Sequence, residues 1–90
     1  LMVGQEENYM NSEYNIYPNP SNGKFCLETQ NLTTEPIEIM VMDLTGRQVY
    51  EENAVVTGKK EINLSGQPKG MYFVKVKTDK NYTTRKLIIN

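Results

Sequence analysis

Residues 37–50 read IEIMVMDLTGRQVY, and the pattern in this stretch decides the fold. Ile37, Ile39 and Val41 alternate with Glu38, Met40 and Met42. Successive side chains of a strand point to opposite faces, so one face here is aliphatic and the other is largely methionine. Apolar side chains on both faces predict a central strand rather than an edge. Asp43-Leu44-Thr45-Gly46 then suits a type I turn closed by a glycine in the left-handed region, the common three-residue hairpin. Residues 47–53 return as a second strand, which is expected to lie antiparallel to the first.

The rest of the chain repeats this scheme. Short β-rich runs at 14–17, 24–30, 37–44, 47–53, 59–64, 71–78 and 82–89 are separated by turn signals. Tyr72, Val74 and Val76 alternate with Phe73, Lys75 and Lys77, which gives one wet face over most of that run. Gln67-Pro68-Lys69-Gly70 places proline and glycine where a type I turn prefers them, and Asp79-Lys80-Asn81 joins the last two runs. These turns imply antiparallel neighbours. No window keeps a 3.6-residue period, so no helix is expected. The prediction is an all-β antiparallel sandwich of about seven short strands in two packed sheets. Leu27, Ile39, Val41, Val49, Ile62, Leu64, Val74, Val76, Leu87 and Ile89 are its expected core.

Upstream, residues 17–25 read YPNPSNGKF. Pro18 and Pro20 each lock φ and lack an N–H, so neither fits a central ladder. Asn22-Gly23 is a tight-turn signal, because glycine accepts positive φ at no steric cost. A stiff segment, a corner and then a strand are expected. Residues 1–13, LMVGQEENYMNSE, have no period and read as a linker or arm before a domain at 14–90. The start at Leu1 suggests the C-terminal piece of something longer.

Composition excludes several function classes. Ninety residues suffice for one domain. A net charge of −1 supplies no electrostatic reason to bind nucleic acid or an anionic membrane. No apolar run approaches the ~20 residues of a membrane-spanning helix, so direct insertion is not expected. The chain has no histidine, which removes the commonest general base, nucleophile activator and metal ligand. Glu6-Glu7 and Glu51-Glu52 are sequence neighbours; in a strand such pairs point to opposite faces and cannot converge on one bond. Asp43 and Asp79 stand alone in turns. Hence no catalytic, cofactor or metal site is expected. Cys26, the single cysteine, has no intrachain partner and reads as a packing thiol. PSNGK lacks the spacing of a phosphate loop.

Four segments in order, NIYPNPSNGKF, VMDLTGRQVY, INLSGQPKGMYFVKVKT and a terminal KLIIN, resemble the C-terminal sorting domain (type A) of the type IX (Por) secretion system of the Bacteroidetes. The resemblance covers residues 15–90. It implies an Ig-like sandwich attached to the C-terminus of secreted cargo. It also implies an outer-membrane translocon and a sortase-like peptidase as partners, and a secreted or cell-surface destination. The matching positions are Pro18, Pro20 and Gly23; Asp43, Gly46 and Arg47; Gly70, Tyr72 and Val74; and Lys86, Leu87, Ile88, Ile89 and Asn90. An Ig-like spacer or a carbohydrate-binding module of a secreted enzyme is the alternative reading. In the tail, Leu87 and Ile89 should pack the core while Lys86, Ile88 and Asn90 face outward. A terminal strand at a sheet edge would offer unpaired N–H and C=O groups to a partner chain by strand addition.

Overall fold

In a computed structural model, which describes residues 14–30, 35–79 and 82–90, the alternating runs become seven strands. They are β1 (Tyr14–Tyr17), β2 (Lys24–Thr29), β3 (Ile37–Asp43), β4 (Gln48–Ala54), β5 (Lys59–Asn63), β6 (Gly70–Lys77) and β7 (Tyr82–Ile89). The described residues contain no helix. One sheet has the order β1-β2-β5 and the other β4-β3-β6-β7, with every neighbouring pair antiparallel. β3 is central, as its two apolar faces require.

The core lies between the sheets and contains every expected residue except Val49, which is only half-buried. The reason is a bulge. Register steps from Val41↔Tyr50 to Met42↔Gln48, so Val49 has no partner on β3 and the ladder is irregular where it sits. Val49 and Tyr50 both pack against the core from its rim, half-buried. Tyr14, Phe25, Ile37, Val56 and Tyr72 complete the interior.

The β3–β4 hairpin forms as expected. The Gly46 N–H donates to the Asp43 carbonyl at 3.0 Å, the Asp43 N–H donates to the Arg47 carbonyl at 2.9 Å, and Gly46 has φ +88°. The segment Gln67–Gly70 departs from expectation. The hydrogen-bonded turn lies earlier, with the Gln67 N–H donating to the Leu64 carbonyl at 2.9 Å. Moreover, β5 and β6 belong to different sheets, so this connection crosses the sandwich and is not a hairpin. Turn residues dictate a local corner; they do not dictate whether the flanking strands pair. The expected turn at 79–81 lies partly outside the described residues, but β6 and β7 do pair antiparallel.

The two flanks of the sandwich are closed differently. On one, β4 and β5 are edge strands of opposite sheets. Glu52, opposite Ile39, and Lys60, opposite Leu27, both point inward and meet at 3.0 Å, and the Tyr50 hydroxyl donates to Glu52. Inward charges of this kind discourage a foreign strand from adding to an edge. The Tyr50 hydrogen bond, then Lys60, holds the Glu52 carboxyl below its ordinary range. Burial, then Glu52, pushes the Tyr50 hydroxyl up to about 12. On the other flank β1 lies against β7, and Arg85 Nε donates to the Tyr14 carbonyl at 2.9 Å.

Candidate functional site: the motif-bearing end of the sandwich

Residues from all four sequence segments gather at one end of the sandwich. Register places Asp43 of β3 opposite Tyr72 of β6, and Tyr72 opposite Leu87 of β7, in one row across the sheet. Gly70 lies opposite Ile89 in the next row. Ser21 forms a parallel bridge to Ile89, which brings in the proline-bearing segment. Residues from 15 to 68 positions apart in sequence thus become neighbours at one end of the sandwich.

The proline segment seals the outer edge of β7. Pro18 and Pro20 cannot donate, so the backbone around Asn19 cannot supply a regular ladder. The Asn19 side chain does so instead: Nδ2 donates to the Lys86 carbonyl at 2.7 Å, and Oδ1 accepts from the Ile88 N–H at 3.0 Å. Two residues on, the Ser21 N–H donates to the Ile88 carbonyl at 2.8 Å, and the Asn90 N–H donates to the Ser21 carbonyl at 2.9 Å. The edge groups from Lys86 to Asn90 that strand addition would need are therefore largely taken by the chain itself. This corrects the expectation of an open terminal edge. β7 is last in its sheet, but its end is already covered.

Glycine allows the corner that follows. Gly23 has φ +110°, and a Cβ there would lie 2.8 Å from the Ser65 Cα. Its N–H donates to Ser21 Oγ at 3.1 Å, and its carbonyl accepts from the Leu64 N–H at 2.6 Å. The corner thus fastens the β2 start to the Leu64–Gln67 turn of the crossover.

The remaining motif residues divide by direction. Tyr72, Val74, Leu87 and Ile89 are buried, and the Tyr72 hydroxyl donates to the Pro68 carbonyl at 2.5 Å. Lys86, Ile88, Asn90, Arg47, Pro18 and Pro20 are exposed. Gly46 and Gly70 have positive φ. The sequence pattern alone does not give Asn19 and Ser21 this clasping role. The signal available was an amide side chain held between two residues that lack an N–H.

Asp43 organises the hairpin end. Its Oδ1 accepts from the Thr45 N–H at 2.9 Å, the Thr45 hydroxyl at 2.6 Å and the Arg47 N–H at 3.0 Å. Arg47 Nε reaches Oδ2 at 3.3 Å. The Thr45 hydroxyl, foremost, and the backbone donors and Arg47 with it, hold this carboxyl below its ordinary range. A carboxyl lowered in the folded state stabilises above its unfolded pKa, and that contribution is lost as pH falls through the folded value. Melting temperature should therefore drop with acidification, and Asp43→Asn should show a shallower acid limb than the parent. Superimposable pH profiles for the two proteins would contradict this role.

Among the described residues, no group of three or more His, Cys, Asp or Glu could hold a metal ion. Cys26 is half-buried on the outward face of β2, between Tyr17 and Glu61 on the adjoining strands.

Comparison with known proteins bears on the family and the fold. The model of a family described as "Secretion system C-terminal sorting domain" matches residues 15–90. A solved structure from Bacteroides vulgatus, a DUF3244 family protein with an immunoglobulin-like β-sandwich fold, superposes with a TM-score of 0.74 at 15% identity. The match covers 90% of this chain and 88% of that one. At that identity the likeness concerns the fold. No curated protein matches the chain.

Proposed function

This chain belongs to the secretion system C-terminal sorting domain family, and from that premise we propose that its signal is the folded end where the proline segment clasps the tail. The family is that of C-terminal signals for type IX secretion, which direct a cargo to the cell surface or the medium across the outer membrane. The finer assignment concerns which residues are read. Lys86, Ile88 and Asn90 form the outward half of the tail, with Pro18 and Pro20 beside them, and the translocon reads these side chains on a preformed surface. The inward half and the glycines shape that surface. The observation that carries this reading is the pair of bonds from Asn19 to Lys86 and Ile88, which holds the two ends of the domain together.

Changing Lys86 and Ile88 together to serine tests it. Both side chains are exposed, so melting should move little, while export of an attached cargo should fall. Cargo at the surface at the parent level would leave the tail with a packing role alone.

A sortase-like peptidase then removes the domain, with residues 1–13 as arm and 14–90 as the released unit. Tyr14 is 2% exposed and belongs to the core, so a cut beyond it would take a core residue from the sandwich. Mass spectrometry of the released fragment should find an N-terminus before Tyr14. An N-terminus within residues 24–90 would overturn the assignment.

A further inference from the structure

We propose that the outer face of the four-stranded sheet is a self-association surface whose occupant is a second copy of this chain, turned about a two-fold axis parallel to the strands. The basis is how charge and apolar surface divide across the sheet. On this outer face β3 and β4 present Glu38 and Glu51 and neither lysine nor arginine, because Asp43 and Glu52 lie on the inward rows of Tyr72 and Ile39. β6 and β7 present Lys75, Lys77 and Lys86 there and neither aspartate nor glutamate, while Arg85 lies on the inward row of Val74. The strand order β4-β3-β6-β7 puts the acidic pair on one half of the face and the basic pair on the other.

Apolar side chains share this face, at the join and at one end of the basic half. Met42 lies opposite Phe73, Met71 opposite Ile88, and Met40 lies two residues from Met42 on the same face. None of these side chains is fully buried, and Ile88 is 37% exposed. The outer face of the other sheet has no such division: Lys24 and Glu28 share β2, and Lys59 and Glu61 share β5.

A two-fold axis in the interface plane, along the β3–β6 join, lays the acidic half of each copy over the basic half of the other. It also keeps each row in register, so Met42 of each copy meets Phe73 of the other, a favourable sulfur–aromatic contact. In the same way Glu38 of each copy meets Lys77 of the other. Those two are register partners within one sheet, yet they form no ion pair there among the described residues. An in-plane axis across the strands would set acid on acid and base on base, so charge selects the first arrangement. Four strands at about 4.8 Å spacing and seven residues at about 3.3 Å rise give a projected face of roughly 440 Å² per copy. The total of roughly 900 Å² falls in the weak, transient class, so the dimer is concentration-dependent.

Sedimentation equilibrium of the 90-residue chain over a range up to high micromolar should show a reversible monomer–dimer equilibrium that weakens with salt. Two variants reverse one half each: Glu38→Lys with Glu51→Lys, and Lys75→Glu with Lys77→Glu. All four positions face outward, and circular dichroism checks that both variants fold. Each alone should self-associate at least tenfold more weakly than the parent, and an equimolar mixture of the two should recover a dimer. A parent that stays monomeric throughout overturns the proposal, as does a dimer that survives charge reversal or a mixture that fails to recover it. If the parent is monomeric and Phe73→Ser lowers export, the face belongs to the secretion machinery and not to a second copy. Export by the parent chain is scored separately, so the sorting role stands or falls on its own.

Discussion

Replacing Gly23 with valine is expected to cost at least about 3 kcal/mol, a large part of the total stability of a domain whose size allows roughly 5–13 kcal/mol. Two effects add. A residue with a Cβ is strained at φ +110°, and that Cβ would press on the Ser65 Cα at 2.8 Å, the Ser65 nitrogen at 3.1 Å and the Leu64 carbonyl carbon at 3.2 Å. All three are backbone atoms, so no side chain can swing aside. The Leu64 N–H bond to Gly23 ties the same two segments together and would be lost if they moved apart. Gly46 and Gly70 also have positive φ, but a Cβ at either meets nothing within 4 Å. Their alanine variants should lose only about 1 kcal/mol, from backbone strain alone. Urea unfolding of the single alanine variants should therefore rank Gly23→Ala well below the other two. Equal midpoints would remove the packing argument. If valine at all three positions left melting unchanged yet stopped secretion, the glycines would be recognition elements and not turn formers.

Leu87→Ala should destabilise by about 2–4 kcal/mol, the range for a fully buried leucine truncated to alanine. Leu87 is 0% exposed and sits in the row that joins Asp43 and Tyr72 to the tail. A cavity there would loosen β7, the strand that Asn19 and Ser21 clasp. Export of an attached cargo should fall in step with the folded fraction and recover as temperature is lowered. The outward pair Lys86 and Ile88 should behave in the opposite way, with melting kept and export reduced. Thermal unfolding and secretion measured on the same variants separate the two roles. A Leu87→Ala protein that melts with the parent would contradict its place in the core.

The strands were legible because alternation and turn chemistry agree along nearly the whole chain. Each of the seven runs lies within a residue of its observed strand at either end. The differences have local causes. Val49 was expected inside because it alternates with its neighbours, but a bulge is an insertion into a ladder, and only the pairing partner reveals it. Tyr14 and Tyr72 gave the same apolar signal as exposed Tyr17 and Tyr82, and their depth depends on the facing sheet. The Gln67–Gly70 signal suggests a hairpin, but a turn motif carries no information about which sheet comes next. Lys60 and Glu52 lie on different sheets, so no spacing in the sequence links them. For the site, the motif residues were visible as a set, but their convergence at one end follows from strand order. The clasp on β7 depends on Asn19 and Ser21, whose bonds reach across more than sixty residues of sequence.

The most direct measurement fuses residues 1–90 to the C-terminus of a periplasmic reporter in a bacterium that has a working type IX system. The reporter should be found on the cell surface or in the medium, and it should stay in the periplasm when the translocon is deleted. A reporter retained in the periplasm of the competent strain, with the fused domain folded and intact, would contradict the sorting role and leave the sandwich as a spacer.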